Sequence, residues 1–317
     1  MRKFLRGTVK AFAWAAVASF VFVAGTAFFS AQRADYGWTP AISRPAFTAE
    51  HPRVLFDEGH HNASTAGFSG RYWPFARLLR ADGYDLVRSR CVFTADALAG
   101  ARILVIANAC GAPKPQFFGL NLPVPTERRR KDPAFTREEI EAVRAWVEGG
   151  GSLLLIADHA PFGEAAFDLG AALGVTMHKG AVEVPGEVSD PLLFSAVNGR
   201  LGSHPILTGG GPGDTVSRVM TYTGQSLDGP PGATVLLRLP GSARESVPVA
   251  DGATSERPAG PAQGLAFELG SGRVVVLGEA GMVTAQVAGR IPYGTNTPGN
   301  DNARFVLNAM RWLVRAL

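Results

Sequence analysis

The chain has 317 residues, 46% of them hydrophobic and 18% charged, enough apolar material for a buried core in one large domain or two smaller ones. Its formal charge of +4 rests on two clusters, Arg2, Lys3, Arg6 and Lys10 at the start and Arg128, Arg129, Arg130 and Lys131 in the middle. Elsewhere acidic residues outnumber basic ones, which excludes the basic, aromatic-laced face of a nucleic-acid binder and leaves the 128–131 run as a solvated loop.

From Ala11 to Phe29 the sequence runs without a charge, about the length that crosses a bilayer core. This predicts an N-terminal transmembrane segment, and the preceding Arg and Lys keep that end in the cytoplasm. The expected localisation is the cell membrane, with a single span and the main domain on the periplasmic side. A small-x-small site at Gly25 and Ala27 suits signal peptidase, whereas Phe28 and Phe29 extend the apolar run towards an anchor. The expected organisation is an anchor or signal segment over 1–30, a polar tether with Pro40 and Pro45 over 31–51, and an α/β domain over 52–317. Cys91 and Cys110 either pair, as an exported domain permits, or remain separate buried thiols.

Within the domain the first strand is Arg53–Phe56, followed by Asp57-Glu58-Gly59-His60-His61-Asn62. Pro74 starts a helix that ends near Ala81, before Gly83. Tyr84–Val87 is a second strand, Thr94 caps a short helix over Ala95–Leu98, and Ala101–Ala107 is a third, fully apolar strand ending at Asn108. Between Cys110 and Phe135 five prolines exclude regular structure over most of the length, and Phe117, Phe118 and Asn121 are placed to form a lid. Thr136 and Glu139 make a capping box for a helix through Glu148. Leu153–Ala157 is then a central strand, followed by Asp158 and His159 and by a helix over Glu164–Leu173.

From Val175 to Gly232 the signals are weak, and Tyr222, Gln225 and Gln286 are polar residues without a readable place. Thr234–Leu239 is another strand, and Gly241–Gly260, rich in Pro, Gly, Ser and Ala, reads as a mobile loop. Leu265–Leu269 and Arg273–Leu277 form a β-hairpin around Gly270-Ser271-Gly272. Glu279 follows that strand, and Asn300-Asp301-Asn302 precede a C-terminal amphipathic helix. The alternation predicts a flavodoxin-like α/β fold with a doubly wound, mostly parallel sheet and a C-terminal β-hairpin.

In such sheets ligands bind beyond the carboxyl ends of the strands. There the sequence places Asp57, Glu58, His60, His61 and Asn62, then Asn108, then Asp158 and His159, then Glu279, with Asn300 and Asp301 as further ligand-binding candidates. Two chemical readings follow. In one, His60, His61, Asp158 and His159 bind a divalent metal such as zinc, manganese or iron. In the other, His60, His61, Asp158, His159 and Glu279 supply general acids and bases or hold a polar ligand. Asp301 also suits an ordinary N-cap.

Several of these phrases, Asp57-Glu58-Gly59-His60-His61-Asn62, Tyr72-Trp73-Pro74-Phe75 with Asp82-Gly83-Tyr84, Ile156 to Gly163, Gly278 to Met282 and Asn300-Asp301-Asn302, resemble an uncharacterised bacterial family of the class I glutamine amidotransferase-like superfamily. The resemblance covers roughly residues 52–316. It implies the amidotransferase-like fold. Amidotransferases carry a nucleophilic Cys at the turn after the fourth strand, where this chain has Asp158-His159, and Cys110 lies after the third strand, nearer the place where such enzymes build an oxyanion hole. The departure argues against glutamine hydrolysis. Relatives of that fold without the Cys include sugar-utilisation proteins and parts of gliding or transport machinery, which implies binding or scaffolding. The functional expectation is a membrane-tethered domain that binds a small polar ligand or an envelope component. Its alternatives are a metal-assisted or acid/base hydrolase and a non-catalytic envelope scaffold.

Overall fold

The structure, a computed structural model, describes residues 32–317 apart from 115, 118, 119, 122–128, 189 and 250–252, and leaves undescribed the side chains of 116, 117, 120 and 121. The main sheet begins with β1 (Arg53–Asp57), β2 (Asp85–Ser89), β3 (Ile103–Ala107) and β4 (Ser152–Ile156). It is completed by β5 (Thr176–Met177), β6 (Leu227–Asp228), β7 (Thr234–Arg238), β8 (Ala262–Leu269) and β9 (Gly272–Leu277). The strand order is β2-β1-β3-β4-β9-β8-β6-β5, with β7 also paired to β8.

Uninterrupted apolar runs put β3 and β4 at the centre, because every second side chain enters a different core. Ile103, Val105, Leu154 and Ile156 pack on one face with helices α1 (Trp73–Ala81) and α3 (Asn302–Leu313). Leu104, Ile106, Leu153 and Leu155 pack on the other with α2 (Arg137–Glu148). Each fully buried Leu or Ile stabilises the fold by roughly 1.5–3 kcal/mol, so both cores pin the strand register.

The expected flavodoxin-like, mostly parallel sheet is corrected by the pairing. Strands β2, β1, β3, β4 and β9 run parallel, but β8 is antiparallel to β9, and β6, β7 and β5 continue antiparallel. The sheet is therefore mixed, and smaller antiparallel sheets flank it. One of them includes the hairpin Arg244–Pro248 with Thr254–Pro258, where composition alone predicts a mobile loop. The expected helix over Glu164–Leu173 is two short ones, Phe162–Ala165 and Phe167–Ala172.

The transmembrane expectation is also corrected. Among the described residues no helix is long and apolar enough to cross a membrane, and Ala11–Phe29 lies outside them. The single span, the membrane partner and the periplasmic localisation are therefore set aside. The stretch expected as a tether is docked on the domain: Arg33–Ala34 pairs with Ala285–Ala288, and Trp38, Ile42 and Phe47 pack against the core. Both cysteines are free, Cys91 exposed and Cys110 buried.

Candidate functional site

Neighbouring parallel strands fix the centre of the site. Ile156 of β4 is in register with Leu277 of β9, so Asp158 and Glu279 each stand two residues beyond the same rung, on strands about 4.8 Å apart. The turns that carry them are tied down locally. Asn108, after β3, has φ +48°; its side-chain oxygen accepts the Asp158 N–H at 2.9 Å, and its carbonyl accepts the Ala63 N–H at 2.9 Å. Gln225 donates to the carbonyls of Ala157 and Asp158 at 2.8 and 3.2 Å and accepts the Lys179 N–H at 2.7 Å. Gly278 is needed just before Glu279, since a Cβ there would lie 2.3 Å from the Gln225 carbonyl.

Glu279 is buried and Asp158 is half-buried. Burial pushes Glu279 well above the usual carboxylate range, and the charge of Asp158 adds to the rise. The N–H groups of Met282, at 2.8 Å, and Gly281 hold its oxygens but only partly offset this. Burial likewise raises Asp158, against the opposing pull of His159, the Ala280 N–H and Arg71. Two like charges this close do not both ionise readily, so the pair retains a proton to higher pH than either group would alone. His159 stands beside them: its Nδ1 faces the Ala160 carbonyl at 3.0 Å and must donate, leaving Nε2 3.8 Å from Asp158. The Tyr72 phenol is pushed up by burial and by both carboxyls, and it stays protonated.

These groups line a cavity of about 800 Å3, within the usual size of small-molecule sites. Arg71, Lys114 and Arg130 also line it, as do Tyr222, Gln286 and Tyr293. The two tyrosine rings lie 4.9 Å apart. Burial pushes the Tyr222 phenol up, and its hydroxyl bonds Thr297 at 2.5 Å.

Of the residues singled out in the sequence, Asn108, Asp158, His159 and Glu279 meet at this cavity. The others have different places. His60 is buried, with Nδ1 2.8 Å from Asp57 and Nε2 2.8 Å from Glu139, between the rings of Phe93 and Phe135. Asp57 also accepts Gly59 N–H and the Asn62 side chain, each at 3.0 Å. Glu58 is paired with Arg88 at 2.7 and 2.8 Å. His61 is exposed, at φ +47°. Asn300 binds the carbonyls of Gly294 and Thr297. Asp301 precedes α3 but makes no side-chain cap bond to it; it accepts the N–H groups of Ser217 and Arg218 and pairs with Arg304.

The expected metal set of His60, His61, Asp158 and His159 is thus divided between a closed network, the surface and the cavity. Carboxylates occupy both His60 nitrogens, and among the described residues no three His, Cys, Asp or Glu side chains are placed to hold a metal ion. Phe118 of the expected lid, with the side chains of Phe117 and Asn121, lies outside the described residues.

Sequence reasoning missed Arg71, Tyr72 and Arg130 as cavity residues and gave Tyr222 and Gln286 no role. Arg130 carried a signal as a cation in a charge run, but that run pointed to solvent, and Tyr72 stood in a family-like phrase that gave it no role.

The fold and cavity together define an α/β protein with an acidic pair at the carboxyl edge of a mixed sheet. No family model matches the chain, and no curated protein matches it. Among solved structures it is similar to the mmIFT52 N-terminal domain, with TM-score 0.55, 15% identity, and coverage of 82% of this chain and 97% of that one. It is also similar to a cytoplasmic protein from Salmonella typhimurium LT2, with TM-score 0.45, 15% identity, and coverage of 83% and 98%. A protein from Bacteroides uniformis described as ThuA-like gives TM-score 0.45, 13% identity, and coverage of 87% and 94%. At these identities the likeness concerns fold alone, and it lends no support to an amidotransferase-like assignment.

Proposed function

We propose that the protein binds a small polar ligand in the cavity beyond β3, β4 and β9, with Asp158 and Glu279 as the groups that engage it. The observation behind this reading is a buried and a half-buried carboxyl at adjacent strand ends, both lining one cavity. A pair holding one proton offers both a donor and an acceptor, which suits hydroxyl, amine or amide groups. Calorimetry of the whole protein against a panel of uncharged sugars, amides and amino acids tests it. Binders of the wild type should weaken about tenfold or more in Asp158→Asn and Glu279→Gln, the scale of losing a hydrogen bond to a charged group. Equal affinity in all three proteins would sink the reading.

An acid/base hydrolase is the second reading, favoured by the raised Glu279 carboxyl with His159 beside Asp158. A carboxyl that keeps its proton above the usual carboxylate range, next to a base, is what general acid/base chemistry requires. Cys110 takes no part in it: its thiol is buried, and burial raises it. Release of nitrophenol from nitrophenyl esters or glycosides should then persist in Cys110→Ser and vanish in Asp158→Asn.

A further inference from the structure

Among the described residues Arg130 is a buried cation without a counter-ion. Its carbonyl accepts the Gly111 N–H at 3.0 Å, which fixes the residue close to the end of β3. The side chain is 6% exposed; Nη2 donates to Cys110 Sγ at 3.1 Å, the guanidinium lies 5.4 Å from the Phe162 ring centre, and Nε has no partner. Among the described residues it forms no ion pair. A thiolate at Cys110 would neutralise it, but burial pushes that thiol up by more than Arg130 and Lys114 draw it down. An uncompensated buried charge is expensive, and this one borders open space. On the same cavity, Gln286 is 4% exposed and its Oε1 lacks a donor.

We propose that the cavity takes a small oxyanion-bearing ligand whose negative group sits on the Arg130 guanidinium, with Gln286 as a second polar contact. This deepens the ligand-binding reading and rests on it. Arg71 and Lys114, which also line the cavity, add positive potential. The proton kept by the Asp158–Glu279 pair limits repulsion of an anion. A guanidinium suits carboxylate and phosphoryl oxygens alike, so the two sources are separated by the probe.

Calorimetry with inorganic phosphate and with succinate, on the full chain, tests the assignment. One of the two should bind the wild type, identifying a phosphoryl or a carboxylate group. Arg130→Gln should weaken that binding about tenfold or more, the loss expected of a charge-assisted hydrogen bond, and Arg130→Lys should weaken it less. Arg129→Gln should leave it unchanged, since Arg129 is exposed and lies 3.7 Å from Asp132. Equal affinity in Arg130→Gln, equal loss in Arg129→Gln, or no binding of either anion overturns the proposal. If Arg130→Gln does not fold, the wild type decides: affinity that does not fall with added salt overturns it. Binding of an uncharged compound that Asp158→Asn abolishes, with neither anion bound, removes the anion assignment and leaves the ligand-binding role intact. No binding by any compound removes both.

Discussion

Two buried ionisable clusters sit at the same edge of the sheet and behave oppositely. Beyond β1, His60 lies between Asp57 and Glu139, so an imidazole is enclosed by two carboxyls and both of its nitrogens find a partner. Beyond β4 and β9, Asp158 and Glu279 are two carboxyls with no cation between them, beside a cavity. Burial lowers His60, but hydrogen bonds and charges from Asp57 and then Glu139 outweigh it and raise the imidazole. Burial also raises Glu139, but the N–H groups of Thr136 and Phe93, together with His60, bring it below its usual range. The first cluster satisfies its own charges and holds the chain together. The second does not, and an unsatisfied cluster facing open space is the one available to a ligand.

The largest test of this contrast is removal of Glu139. Glu139→Ala should cost about 3–5 kcal/mol, the scale for breaking a buried ion pair, and the urea midpoint should fall accordingly. Cavity binding measured where the variant remains folded should not change. A loss below about 1 kcal/mol would mean that His60 is held by packing alone.

The next test is the dependence of stability on pH. His60 has a raised folded pKa, so its contribution is complete below the unfolded value of 6.5 and is lost as pH rises through the folded value. Glu139 has a lowered one, so its contribution is complete above 4.5 and is lost as pH falls through the folded value. The closed network therefore contributes fully between 4.5 and 6.5. Asp158 and Glu279 have raised values, so their contribution fades as pH rises from 3.8 and 4.5 through the folded values. Asp158→Asn keeps an oxygen for the His159 N–H and removes the repulsion. Its stability should fall less steeply on the alkaline side, by up to about 1.4 kcal/mol per pH unit for one proton. Parallel curves for wild type and variant would show that the pair does not titrate together.

The same contrast marks what the sequence could reveal. Local signals carried through: the apolar runs of β3 and β4, the Thr94 cap, the Thr136–Glu139 capping box and the acidic residues after β4 and β9 all lie where short-range chemistry puts them. In the antiparallel half the strand β7 and the hairpin of β8 and β9 were legible, but β5 and β6 were hidden because they have two residues each, too few for any alternation. His60 looked like a ligand because its partner Glu139 lies 79 residues away and already had a sufficient local explanation as a helix cap. Arg130 looked solvated because it stands in a basic run, yet Arg129 points outward and Arg130 inward, a difference only the packed loop decides.

The smallest expected effect concerns His61, which tests whether adjacency in sequence to a buried histidine implies a role. Its backbone lies in the left-handed region at φ +47°, its side chain is exposed, and it does not line the cavity. Glycine adopts that conformation without strain but loses more freedom on folding, two effects of about 1 kcal/mol that oppose each other. His61→Gly should therefore shift stability by no more than about 0.5 kcal/mol and leave cavity binding unchanged. A tenfold loss of binding would place His61 at the ligand, which would require the loop after β1 to fold over the cavity when occupied. The closed Asp57–His60–Glu139 network holds that loop in place, so such a movement would break the network, and Glu139→Ala would then alter binding as well as stability.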